Sequence, residues 1–245
     1  MLETEPRFNA SFGGTDPSRV ARALRECVIP CGVVPFRRLE ATVGGKLAAA
    51  RALERLPADR FSEEFVGVVS GVVSARRHAV AIVDGTPQEE VRAILREARE
   101  GRLGPADVPS TAERLVGGPR EIRRDLASEL LHAAAPDRTA LLARWVWNPE
   151  RGTGVLAEFG GPPPESYPET QARLGELRLA LATFGFPSTS FATVDAVLAL
   201  TYARRLGQTT ENELSGRGVG DLLPGRFLLA TMILGVRRCA ADADC

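Results

Sequence analysis

Lysine is almost missing from this chain: of its 31 basic side chains, Lys46 is the only lysine and the rest are arginine. The bias fits an alanine-, arginine- and glycine-rich, bacterial-type composition as readily as a need for guanidinium, which is specific only at bidentate or stacking sites. Histidine is nearly as scarce. His78 and His132 are the only two, and each lies in an apolar segment where a packed or surface histidine is the ordinary outcome. No serine or cysteine sits in a Gly-x-Ser-x-Gly elbow, so serine or cysteine hydrolysis is not expected. An excess of charge is missing too: 31 basic and 31 acidic side chains give a formal net charge of zero. No long-range field therefore draws the chain onto nucleic acid or an anionic membrane, and any basic patch must be local. The Arg-Arg pairs at 37–38, 76–77, 123–124, 204–205 and 237–238 are scattered and read as solvated helix faces.

Long uninterrupted apolar runs are also lacking. Phe65 to Val83 has the length of a membrane span but contains Ser70, Ser74, Arg76, Arg77 and His78, which marks it as core, so no membrane partner is expected. Met1 to Asp16 is polar and broken by Gly13 and Gly14. It is no secretory leader, and a cytoplasmic location is the default expectation. The four cysteines form two pairs, Cys27/Cys31 and Cys239/Cys245, which would make a four-thiolate metal site only if the two ends met in space. Cys27 also fits the apolar face of a helix, so free thiols in a reducing compartment are the simpler reading, with no metal and no cofactor. The carboxylates Glu63, Glu64, Glu89, Glu90, Glu97 and Glu100 show no Glu-x-x-His pattern and nominate no acid–base pair.

What is present is helical periodicity. Asp16-Pro17 is a capping residue followed by proline at the first helical position, and Val20, Leu24, Cys27 and Val28 line one face until Pro30. A second helix is predicted from Phe36 to Leu56, with Gly44-Gly45 weakening or kinking its middle and Pro57 stopping it. Phe61 to Val73 is predicted helical, while His78 to Asp84 reads as strand or helix, with helix preferred. Thr86, Ser110 and Thr210, each followed three residues later by glutamate, read as capping boxes. Ile122, Leu126, Leu130 and Leu131 mark a further helix, and Asp137 is predicted to cap a short one running through Trp147 to the Asn148-Pro149 stop. Residues 160–168, with three consecutive prolines, resemble a stiff linker. Leu174, Leu177, Leu181 and Phe184, then Val194 to Tyr202, then Phe227 to Val236, complete the pattern. The expected fold is mainly α, a multi-helix globular architecture with at most a few short strands. It reads as two helical halves, 1–118 and 119–245, divided by a hinge within 102–120, a single domain being the alternative.

Nucleotide and phosphate motifs fail on specific positions. Gly45-Lys46 would need glycine at Glu40 and a hydroxyl at Leu47 to form a phosphate loop. In "AIVDGTP" the place of a phosphatase nucleophile is taken by Ile82. Gly216, Gly218 and Gly220 miss the dinucleotide spacing by one residue.

The most distinctive stretch holds both tryptophans. If Trp145 and Trp147 end a helix they point about 200° apart, which places Trp145 with Leu141, Leu142 and Val146 in the core. Trp147 then stands beside Arg144, Arg151 and the Gly152-Thr153-Gly154 turn, where tryptophan and arginine would serve as anchors for a partner. "REIRRDLASELLHAAAPDR" followed by "TALLARWVW" resembles the helical frameworks around helix-hairpin-helix DNA-repair domains but lacks their Gly-x-Gly hairpin, so no family follows. The reading with most support is a non-catalytic helical binding protein, a subunit or accessory factor of a larger protein assembly or a homo-oligomer, contacting its partner through Trp147, Arg144 and Arg151. A nucleic-acid-binding helical domain is the alternative, and a metal-dependent enzyme whose site only the fold assembles is the third.

Overall fold

A computed structural model of the protein describes residues 14–214 and 225–236, including their side chains except those of 210–214. Among these residues there are ten α-helices and no strand. The Asp16 carboxylate caps α1 (Pro17–Ala23) by accepting from the Ser18 N–H at 2.9 Å and the Ser18 hydroxyl at 2.7 Å. This helix continues into a π-turn, Leu24–Val28. α2 (Val33–Ala52) buries Phe36, Leu39, Val43, Leu47 and Ala50, the stripe that periodicity marks. It is not interrupted at Gly44-Gly45, both of which are exposed. α3 (Ala58–Ser70) and α4 (Ala79–Gly85) follow, so the His78–Asp84 stretch is helix.

All three expected capping boxes are replaced by something else. α5 (Gln88–Arg99) starts after Pro87 with no side-chain cap. Thr86 is buried instead, and its hydroxyl accepts from the Val116 N–H at 2.9 Å and donates to the Val116 carbonyl at 3.1 Å. One side chain thereby satisfies both backbone polar groups of Val116, thirty residues away. Ser110 lies inside α6 (Val108–Arg114) and bonds back to the Asp107 carbonyl. Positions 210–213 fall within α9 (Ala192–Leu214), so no helix begins there.

α7 (Arg120–Ala134) is the central element. It packs against α2, α5 and α6, and every residue from Asp125 to Ala134 is buried. Sequence periodicity marks only Ile122, Leu126, Leu130 and Leu131 on it, whereas the fold covers residues 125–134 on all sides. The segment after it, predicted as a helix from Asp137 to Trp147, is irregular. Its alternate backbone N–H groups are taken by side chains: Ala140 by Gln171 at 2.7 Å, Leu142 by Ser128 at 2.6 Å and Arg144 by Asp125 at 3.0 Å. Donors claimed at every second residue from 140 to 144 are lost to a continuous i−4 helical ladder.

The proline-rich segment is pinned rather than free. The buried Arg173 of α8 (Tyr167–Thr183) donates to the carbonyls of Gly160 and Pro162, and Ser166 caps that helix by accepting from the Glu169 N–H. α10 (Arg226–Leu234) closes the described chain and lies along α9. Buried apolar side chains from Val20 to Val236 form one core cluster. Among the described residues no helix is long and apolar enough to cross a membrane.

Candidate functional site

Four polar residues stand on one face of α7 at helical spacing: Asp125, Ser128, Glu129 and His132. All four are buried, and each is met from a different part of the fold. The Asp125 carboxylate accepts from the Ser74 hydroxyl at 2.7 Å and from the Arg144 guanidinium at 3.0 and 3.1 Å. The Ser128 hydroxyl accepts from the Leu142 N–H. Glu129 pairs with the Lys46 ammonium of α2 at 2.7 Å. His132 meets Asp195, in the first turn of α9, at 2.8 Å. Charges so enclosed are tolerable only when paired and hydrogen-bonded, because an isolated buried ion costs several kcal/mol on the order of its lost hydration.

The protonation of His132 follows from its neighbours. Nδ1 lies 2.6 Å from the Thr139 carbonyl oxygen, which only accepts, so Nδ1 carries a hydrogen. Nε2 faces an Asp195 carboxylate oxygen at 2.8 Å, a contact that needs a second proton between them. Burial alone would depress the imidazole pKa, but the Asp195 charge and hydrogen bond, the Thr139 carbonyl and the Glu129 charge together outweigh it and hold the value above the ordinary one. With side-chain exposures of 1% and 2%, the pair has no path to a substrate. The Ser74 hydroxyl is given to Asp125, and Ser128 accepts from the backbone. The stripe acts as polar cross-bracing between helices.

The stripe reaches the surface at Lys46. This residue lies in a groove of about 1920 Å³ whose walls come from α2, α3 and α10, with Val34, Leu39, Val68, Leu200, Phe227 and Leu228 among its apolar lining. Val34 is 64% exposed, and Ile29 and Val33 next to it are 65% and 70% exposed. At one end the groove is closed by backbone contact: Gly235, the left-handed cap of α10 with φ +64°, sits so near Gly71 that a Cβ would lie 1.4 Å from its carbonyl oxygen. The Lys46 ammonium donates at 2.8 Å to the carbonyl of Leu234, the last residue of α10, placing a positive charge at the negative end of that helix.

The residues singled out in the sequence fall outside this stripe, and both tryptophans pack in the core, Trp147 more deeply than Trp145. Trp147 is 3% exposed and its indole N–H donates to the Pro164 carbonyl at 2.8 Å, whereas Trp145 is half-buried and stacks on Tyr202. The expectation assumed helix geometry, and the segment is a turn. Arg144 is committed to the buried Asp125 carboxylate through its backbone N–H and its guanidinium. Arg151 alone of the three is exposed, on the turn that the Asn148–Thr153 bridge closes. Cys27 and Cys31 both line the groove. Burial pushes the Cys27 thiol pKa up against the opposing hydrogen bond from Thr201. Cys239 and Cys245 lie outside the described residues, and among the described residues no group of three or more His, Cys, Asp or Glu is placed to hold a metal.

No family model matches this chain, and neither a curated protein nor a solved structure does.

Sequence reasoning passed over the α7 stripe. The spacing of Asp125, Ser128, Glu129 and His132 was a signal, but it reads equally as the wet face of an amphipathic helix. Only the partners show that it is buried, and Ser74, Lys46 and Asp195 lie 51, 83 and 63 residues away in the chain.

Proposed function

We propose that the protein is a non-catalytic helical binding protein, a subunit or accessory factor of a larger protein assembly, and that it receives an apolar helix of its protein partner in the groove between α2, α3 and α10. The observation that carries this reading is the groove itself, about 1920 Å³ with an apolar lining and the exposed Val33-Val34 pair at its edge. Small-molecule pockets run to roughly 300–1,000 Å³, and an α-helix with its side chains is about 10–12 Å across, so the size suits a helix better than a metabolite. Recognition by an apolar helix face in a hydrophobic groove needs no catalytic group, which agrees with an acid–base pair that is sealed from solvent.

Trp147, enclosed and hydrogen-bonded, supports no role as a partner anchor and offers no stacking platform for a base. Many of the arginines are matched by carboxylates, as in Arg37–Glu40, Arg124–Glu150, Arg204–Glu26 and Arg205–Glu158. Matched charges favour a protein partner over the phosphate backbone of nucleic acid.

The test is the mass of the native species by sedimentation. Protein taken from its own cells should travel in a complex heavier than the 26.3 kDa chain. Val34→Glu, a change at an exposed position expected to cost no more than about 0.5 kcal/mol of stability, should release it as the single chain with an unchanged unfolding midpoint. A wild-type chain that already travels alone overturns the reading, as does a complex that Val34→Glu leaves intact.

A further inference from the structure

Two ion pairs are enclosed where α2, α7 and α9 meet, Lys46–Glu129 at 2.7 Å and His132–Asp195 at 2.8 Å, and Glu40 of α2, matched by Arg37, accepts from the Thr193 hydroxyl in the first turn of α9. Glu129 and His132 are neighbours on the same face of α7, so the pairs adjoin. The groups facing the imidazole are Asp195 from α9, the Thr139 carbonyl, and Glu129 with its Lys46 partner from α2. Asp125, two turns back on α7, is matched by Arg144, and α5 and α6 bury no charged side chain.

The set is neutral only while His132 holds its second proton: Lys46 and His132 then balance Glu129 and Asp195. Loss of that proton leaves two carboxylates and one ammonium in a region where the side-chain exposures range from 1% to 15%. The one remaining cation is also the tie to α10, because Lys46 is shared between Glu129 and the Leu234 carbonyl. Two carboxylates left to one ammonium draw it inward, away from a neutral carbonyl that holds it less strongly.

We propose that the His132 proton is coupled to the seating of α10, so that the groove is set by pH: firmly walled while His132 is protonated and loosened once it is not. The importance of the coupling for binding rests on the groove reading above, but the coupling itself belongs to the free chain.

The experiment is an NMR pH titration of the isolated full chain, following the imidazole signals and the backbone amides of Leu234 to Val236. His78→Gln identifies which imidazole is His132. The expected result is that His132 titrates above about 6.5, the ordinary histidine value, and that the α10 amides shift with the same midpoint. In His132→Gln these amides should stay flat over that range. Where that variant fails to fold, Asp195→Asn serves, and both midpoints should fall together. A His132 that never takes the second proton, or α10 amides that stay still while it titrates, overturns the proposal. No partner enters this measurement, so its failure is separate from failure of the sedimentation test.

Discussion

A tryptophan that is 3% exposed, with its indole N–H bonded at 2.8 Å to a carbonyl in the proline-rich segment, holds two loops together. Trp147→Ala is therefore expected to lower the unfolding free energy by about 3–5 kcal/mol, the range for removing a buried aromatic ring. Urea denaturation measures this, and an unchanged midpoint would put Trp147 outside the core. Sequence could not place this residue because the argument depended on a local geometry. Two residues apart on a helix means opposite faces, whereas here extended chain leads into a turn, and the N–H groups of Ala140, Leu142 and Arg144 are claimed by side chains of α7 and α8. Lys46 was illegible for a related reason. The Gly45-Lys46 pair suggests a phosphate-loop motif that the sequence does not complete, while the two bonds of Lys46 reach Glu129 and a carbonyl 188 residues away.

At the scale of elements, legibility follows the range of the interaction. Phe36, Leu39, Val43, Leu47 and Ala50 are all buried, because a long apolar stripe on α2 is a local pattern that tertiary packing only has to accept. Pro57 likewise marks a boundary by itself, through a fixed φ and a missing N–H. Capping boxes are weaker, since a hydroxyl has other partners to choose from. At Thr86 the choice is Val116, which ties the α4–α5 corner to the chain after α6. Thr86→Val keeps the shape and removes both hydrogen bonds to Val116, a cost of about 0.5–1.5 kcal/mol for each. Amide hydrogen exchange at Val116 is the specific readout and should accelerate more than exchange in the middle of α2. Equal protection in variant and wild type would mean that the two bonds carry no net stability.

For the whole molecule, the ionisable groups set two limits to stability, and the limits have different owners. On the acid side, hydrogen bonds from Arg99 and Arg114 hold the pKa values of Glu54 and Glu97 below the ordinary glutamate value despite partial burial. Stability from these pairs is complete above the unfolded value of about 4.3, and it is lost as pH falls through the lowered folded values. On the alkaline side, His132 has a folded pKa raised above its unfolded value. Its contribution is complete below about 6.5 and is lost as pH rises through the folded value, because over that range the unfolded chain binds fewer protons than the native one. The melting temperature should therefore form a plateau that falls at both ends. His132→Gln should lower the plateau and remove the alkaline fall that begins with His132, while leaving the acid fall where it was. Glu54→Gln should do the opposite, softening the acid fall and leaving the alkaline one in place. Thermal melts of the three proteins across the pH range separate the limits, and an alkaline fall that persists unchanged in His132→Gln would assign it to groups other than the enclosed pair. The asymmetry also separates surface from interior. The Arg99–Glu54 pair has one partner 42% exposed and should weaken in added salt, whereas the His132–Asp195 pair, at 1% and 2%, should not.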